Sequence, residues 1–248
     1  MKTVLITGCS SGFGLETARY FLDRDWKVIA TMRTPREDVL PHSEHLRVLA
    51  LDVTDVESIR QAVDAAGPID VLVNNAGIGL FSALEGTSME TVRAIFETNT
   101  LGTIAMTQAL LPQFRQRKAG VIVNVTSSVT LKSLPLLSVY TASKAAVNAF
   151  TESLALELAP FHVRVNLVLP GRAPETRFGE NAQARMQAGF PEAYADFAQG
   201  IFQRLREGTG EPPAITRALD VAEAVWRAAS DPSCPVRLAA GADAVALA

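Results

Sequence analysis

The chain has 248 residues, 48% of them hydrophobic and 20% charged, with a formal net charge of −3. A chain of that length buries roughly 70–75% of its unfolded surface, so it folds without disulfides or metals, as one large α/β domain or two small ones. The slightly acidic balance provides no basic field for nucleic acid, and no stretch approaches the 18 or more apolar residues of a membrane span. Cys9 and Cys234 are far apart, and His42, His45 and His162 are scattered, so no metal site is expected.

The start, "MKTVLITG", lacks the apolar region and small-residue cleavage site of a signal peptide, and a reducing, cytoplasmic setting is the expectation. It carries a first strand over Thr3–Thr7, followed by "TGCSSGFG" at 7–14. Gly8, Gly12 and Gly14 have the spacing GxxxGxG rather than GxGxxG. Glycines allow a tight turn and let a pyrophosphate approach the backbone, and the helix that follows, near 12–24, favours negative charge at its N-terminus. A second strand, Lys27–Thr31, leads to Arg33. An acid at this strand end reads a free ribose 2′-hydroxyl, whereas a 2′-phosphate needs a cation. Thr31 stands where the acid would be and Arg33 offers a fork of donors, with Ser10 and Ser11 nearby on the glycine turn. NADP(H) is therefore favoured over NAD(H).

The third strand, Leu46–Leu51, ends in "LDV", and the fourth, Val71–Val73, in "NNAG". Helices are expected near 56–66, 88–98 and 103–118, the first two opened by capping boxes, Thr54 with Glu57 and Thr87 with Glu90. Asn99 ends the second of these helices, and Ser127 follows a fifth strand, Val121–Val125. The helix near 140–159 begins with Tyr140 and Lys144 one turn apart on one face. A lysine cation beside a phenol lowers a pKa of about 10 towards the range in which a general acid or base works. Strands at Val163–Leu167 and, more weakly, Val236–Ala239 flank a helix near 218–230.

These strands are continuous apolar runs, the pattern of parallel strands covered on both faces. The alternation predicts one α/β domain over 1–248, a Rossmann-like, doubly wound parallel sheet of about seven strands with helices on both faces. Ala173–Thr216 departs from the alternation and is read as a helical substrate lid, with Phe178, Met186, Phe190, Tyr194, Phe197 and Phe202 at irregular spacing.

Taken together, the motifs resemble the short-chain dehydrogenase/reductase family in its ordinary single-domain branch. They are TGxxxGxG at 7–14, Asp52, "NNAG" at 74–77, Asn99, Ser127, YxxxK at 140–144 and "PG" at 170–171, in family order over about residues 1–172. The resemblance implies Tyr140 as proton donor in carbonyl reduction and base in alcohol oxidation. It implies Lys144 lowering that pKa and holding the nicotinamide ribose, Ser127 stabilising the substrate oxygen, and Asn99 anchoring a water that relays protons to Lys144. The implied cofactor-binding positions are Gly8, Ser10, Ser11, Gly12, Phe13 and Gly14 on the turn and Arg33 after the second strand. Asp52 and Val53 are implied at the adenine, Asn75, Ala76 and Gly77 along the ribose and phosphates, and Pro170 and Gly171 after the sixth strand.

One stretch departs from the pattern. The family places a threonine five residues after the proline of "PG"; here Glu175 has that distance, Thr176 follows, and Pro174 removes a backbone donor. Thr176 is carried over to the cofactor.

"VIATMR" and "PVRLAAGADA" also resemble the retinol and hydroxysteroid dehydrogenase side of the family. With the apolar segments 78–86 and 128–139 they imply NADP(H)-dependent interconversion of a ketone or aldehyde with an alcohol on a fairly apolar small molecule. The family habit implies a homodimer or homotetramer formed through the helices near 103–118 and 140–159. The rival reading is a non-catalytic NADP(H)-binding redox sensor on the same fold, which has no need of a tuned phenol.

Overall fold

The computed structural model describes residues 1–183, 190–207 and 214–248. The strands are β1 (Thr3–Thr7), β2 (Lys27–Met32), β3 (Leu46–Ala50), β4 (Val71–Asn74), β5 (Gly120–Val125), β6 (Val163–Pro170) and β7 (Arg237–Ala240). They form one parallel sheet in the order β3-β2-β1-β4-β5-β6-β7. The order reverses between β1 and β4, which opens a crevice at the carboxyl ends of these neighbours, the place where such sheets bind ligands.

The predicted strands all form; β1 matches its predicted range, and the ends of the others move by one to three residues. The largest change is in β6, which runs on to Pro170 because Leu167–Pro170 pair with Arg237–Ala240 of β7. Successive residues feed two cores, as a strand covered on both faces requires. Val4, Ile6, Val71, Val73, Val121 and Val123 enter one core, and Leu5, Leu72 and Ile122 the other.

The first core is roofed by α1 (Gly12–Leu22) and α8 (Ala218–Ser230), where Phe21, Trp26 and Trp226 meet edge to face at 5.1–5.5 Å. The second lies beneath α2 (Val56–Ala66), α4 (Gly102–Arg117) and α5 (Ser138–Leu158). Between these two helical layers the central strands β1, β4, β5 and β6 carry no exposed residue, whereas the edge strands β3 and β7 do.

Both expected capping boxes are displaced by one residue. Asp55 caps α2, accepting the N–H groups of Glu57 at 2.9 Å and Ser58 at 3.3 Å, while the Thr54 hydroxyl turns to Asp52. Ser88 caps α3 (Met89–Phe96), accepting the N–H of Thr91 at 3.1 Å. In each case the next residue also carries a short acceptor side chain and sits at the true cap position. Nor does Asn99 end a helix. A π turn over Glu97–Leu101 joins α3 to α4 without a break and contains Asn99.

The lid segment supplies α6 (Phe178–Gln183) and α7 (Ala195–Glu207), and a short α9 (Ala242–Val245) follows β7. Met186, one of the apolar residues expected in the lid, lies outside the described residues. Among the described residues no helix is long and apolar enough to cross a membrane, and no group of three or more His, Cys, Asp or Glu side chains could hold a metal ion.

Candidate active site

The glycine turn follows β1 directly. Gly8 and Gly12 have φ of +76° and +60°, the left-handed region that favours glycine. Gly14 is needed for a close approach, since a Cβ there would strike the Gly8 carbonyl and the Asn75 amide. Ser11 precedes α1 in an extended conformation with no side-chain cap, and the first turn of α1 holds no acid. Its leading N–H groups thus face the crevice without a side-chain acceptor, a donor set that fits a dinucleotide pyrophosphate. Ser10 is exposed and Ser11 half-buried. Phe13 is half-buried and packs against the first core.

Asn75 is tied to the glycine turn. Its amide donates to the carbonyls of Thr7 at 2.9 Å and Gly8 at 3.2 Å, while the Thr7 hydroxyl accepts the N–H groups of Asn75 and Ala76. The Asn75 side chain therefore braces the glycine turn from behind. Gly77 passes beside the catalytic candidates: a Cβ there would stand 3.2 Å from Lys144 Nζ and 3.3 Å from Asn99 Oδ1.

Tyr140 and Lys144 are both buried in the first two turns of α5. Lys144 Nζ donates to the Val125 carbonyl at 3.0 Å, and burial lowers its pKa from 10.5 to about 8. The Tyr140 phenol is pushed up from 10.0 to about 12 by burial, with a hydrogen bond to Ser127 pulling the other way. Burial, rather than Lys144, sets the direction of the shift in this frame. Desolvation outweighs the Ser127 bond, and the phenol is held protonated. Ser127 is placed by the turn after β5, where its Oγ accepts the N–H of Val129 at 3.3 Å.

Asn99 is fully buried. Its side chain exchanges hydrogen bonds with the Ile78 backbone at 2.8 and 2.9 Å and donates to Ser143 at 3.0 Å. Both of its polar atoms are engaged, so it ties the segment after β4 to α5 one residue from Lys144.

At the other end of the crevice, Asp52 accepts the N–H and hydroxyl of Thr54 at 2.9 and 2.7 Å. Its carboxyl is held below the usual range by these bonds and, more weakly, by the Arg33 guanidinium. Val53 is buried against Gly102 of α4. Arg33 is exposed just past β2, whereas Arg36 is engaged by Asp38 at 2.8 Å. Thr31 does not stand where an acid would meet a ribose: it is fully buried and its hydroxyl donates to Ile6. The accessible strand-end position belongs to Arg33, because β2 runs one residue further than expected.

Pro170 ends β6, and the chain turns at Gly171 towards Thr176, whose side chain lies 3.6 Å from the space a Cβ on Gly12 would fill. Phe178 then meets the Tyr140 ring at 5.5 Å between centroids. The apolar cover continues in a cluster of Ala83, Leu136 and Ala198 with Phe81, Phe190 and Phe202.

Sequence reasoning passed over the polar thread beneath the site. Asn74 donates to Thr107 at 3.1 Å and to Asn124 at 2.9 Å, and Asn124 donates to Thr151 at 2.8 Å. The available signal was an asparagine at matched register in each of two neighbouring apolar strands.

The short chain dehydrogenase family model matches residues 2–187. A 3-ketodihydrosphingosine reductase from Bacteroides thetaiotaomicron is 41% identical over 199 residues, covering 79% of this chain and 72% of that protein. Rat estradiol 17-beta-dehydrogenase 1 is 39% identical over 235 residues, covering 86% and 67% respectively. The crystal structure of a short-chain dehydrogenase from Streptomyces avermitilis superposes with a TM-score of 0.83 at 35% identity, covering 99% of this chain and 90% of that one. Complexes with NADP+ and with NADH both occur among the similar structures. The glycine turn, the buried Ser127, Tyr140 and Lys144 and these likenesses agree: the chain belongs to the short-chain dehydrogenase/reductase family of nicotinamide-dependent oxidoreductases.

Proposed function

We propose that residues 1–248 form a single catalytic domain that uses NADP(H) to interconvert a ketone or aldehyde with an alcohol on a fairly apolar small molecule. The observation that carries this reading is the Tyr140 phenol, buried, bonded to Ser127 and one turn from a buried Lys144. Binding a nucleotide requires neither group to leave water, so the arrangement weighs against a mere sensor. The cofactor supplies or accepts the hydride.

The chain's own residues do the rest. Ser127 donates to the substrate oxygen, and Tyr140, holding its proton at neutral pH, delivers it as negative charge develops there. Lys144, still mostly cationic at pH 7 with a pKa of about 8, stabilises the phenolate that remains. In the oxidative direction the same groups run in reverse, with Tyr140 as base. Asn99 acts by holding Ile78 and Ser143 in place around the lysine. With NADPH as the cofactor, reduction is the expected direction.

Arg33 supports the preference for NADP(H): it lies free of the Asp38 pairing that occupies Arg36, at a strand end without an acid. The aromatic cover from Phe81, Phe178, Phe190 and Phe202 supports an apolar substrate, as do the names of the sphingosine-type and steroid relatives. By family habit the chain assembles as a homodimer or homotetramer through α4 and α5 and works in the cytoplasm.

Tyr140→Phe is expected to abolish turnover while NADPH binding, followed by fluorescence titration, stays within a few-fold; a variant that still turns over would remove Tyr140 from the proton-transfer role. Arg33→Ala is expected to weaken NADPH by tenfold or more and NADH by less than threefold, on the scale of one lost charge-assisted bond to phosphate. Equal losses would mean that Arg33 does not read the 2′-phosphate.

Burial of Lys144 makes a further prediction about stability. Lowering its pKa from 10.5 to about 8 costs the fold about 3 kcal/mol below pH 8. Between about pH 8 and 10.5 the unfolded chain binds the extra proton, so stability from this group rises with pH across that window. Lys144→Met, which removes the cost and also the bond to Val125, is expected to raise the Tm of the cofactor-free protein at pH 7 by roughly 3–6 °C while turnover is lost. The gain shrinks towards pH 10. A variant less stable than wild type at pH 7 would show that the lysine is not held at such a cost.

A further inference from the structure

The loop that departs from the family pattern is fastened to the far end of the chain. Asp243, in α9, accepts the Arg172 N–H at 2.6 Å through one oxygen and the Thr216 hydroxyl at 2.6 Å through the other. Thr216 Oγ1 in turn accepts the Gly171 N–H at 2.9 Å, and the Thr216 N–H donates to the Arg172 carbonyl at 2.8 Å. Thr216 is fully buried. The fit leaves no space, because a Cβ on Gly171 would strike the Asp243 carboxylate and one on Gly241 would strike Thr216. Three segments, the end of β6, the residues before α8 and the turn between β7 and α9, thus meet on one carboxylate and one hydroxyl.

The other end of the loop reaches the site. The Ala173 carbonyl accepts both the N–H and the hydroxyl of Thr176, and the Thr176 side chain rests over Gly12 of the glycine turn. Two residues later Phe178 touches Tyr140. The loop therefore spans from the carboxyl end of β6 to the pyrophosphate turn and the phenol. With pyrophosphate on that turn and hydride exchanged beside Tyr140, the nicotinamide half of the cofactor has to lie under this span.

We propose that Asp243 is a positioning residue for the nicotinamide half of the cofactor, acting through Gly171, Arg172 and Thr216 on the placement of Thr176. Pro174 has no N–H to give, and the loop's fixed point is the Asp243 carboxylate, which takes charge-assisted bonds from the Arg172 N–H and the Thr216 hydroxyl. This inference rests on the cofactor and Tyr140 reading above.

The test compares two ligands that share the adenosine half, NADPH and 2′-phospho-ADP-ribose, which lacks the nicotinamide. Their affinities are measured on wild type, Asp243→Ala and Asp243→Asn, with Tm and circular dichroism as controls for folding. Asp243→Ala is expected to weaken NADPH by about tenfold, the worth of one hydrogen bond to a charged group, and to leave 2′-phospho-ADP-ribose within twofold. Asp243→Asn, which keeps an acceptor, is expected to lose about threefold with the same selectivity, and it carries the test if the alanine variant does not fold. Equal weakening of both ligands, or of neither, in a folded variant would overturn the proposal alone. Failure of the wild type to bind NADPH would overturn the cofactor reading and this inference with it.

Discussion

Two ionisable groups at the head of α5 are taken out of water, and much of the surrounding structure follows from the cost of doing so. A buried lysine needs an acceptor, and the Val125 carbonyl at the end of β5 supplies one to Lys144. A buried phenol needs a donor or acceptor, and Ser127, two residues beyond, supplies it to Tyr140. Both partners depend on where β5 ends, and β5 is fixed by its pairing with β4 and β6. A central parallel strand is thus what places the partners of both buried groups at this edge of the sheet.

The polar groups beneath the site serve the same constraint. The thread from Thr107 through Asn74 and Asn124 to Thr151 crosses the sheet just below the strand ends and ties α4 and α5 to β4 and β5. Asn75 and Thr7 hold the glycine turn against the start of the segment after β4, and Asn99 holds the far end of that segment to α5. Each is a short amide or hydroxyl bonded to backbone or to its own kind, which fixes geometry more sharply than apolar packing does. The glycine turn and the Ser127, Tyr140 and Lys144 group are thus joined into one hydrogen-bonded frame beneath the apolar cover.

The fold was legible because it rests on periodicity: continuous apolar runs such as Thr3–Thr7 and Val121–Val125 separated by helical stretches read directly as covered parallel strands. Tyr140, Lys144, Ser127 and the glycine turn were legible because their spacing is local and their chemistry distinctive. What escaped depends on contacts across the chain. The inward turn of Asn75, the burial of Thr31, the π turn around Asn99 and the meeting of Thr216 with Asp243 are set by neighbours 25 to 68 residues away or by helix continuity. The caps at Asp55 and Ser88 escaped for a local reason, since each stretch holds adjacent residues able to cap. The direction of the Tyr140 shift escaped because spacing gives the distance between two groups but not how much water surrounds them.

The most direct measurement is NADPH consumption by the purified protein against a panel of apolar aldehydes, ketones and steroids, with product alcohol quantified alongside. The account predicts that at least one carbonyl is reduced with one alcohol formed per NADPH consumed. NADPH that binds tightly yet is consumed with no member of the panel would contradict it and point to a nucleotide-binding sensor on the same frame.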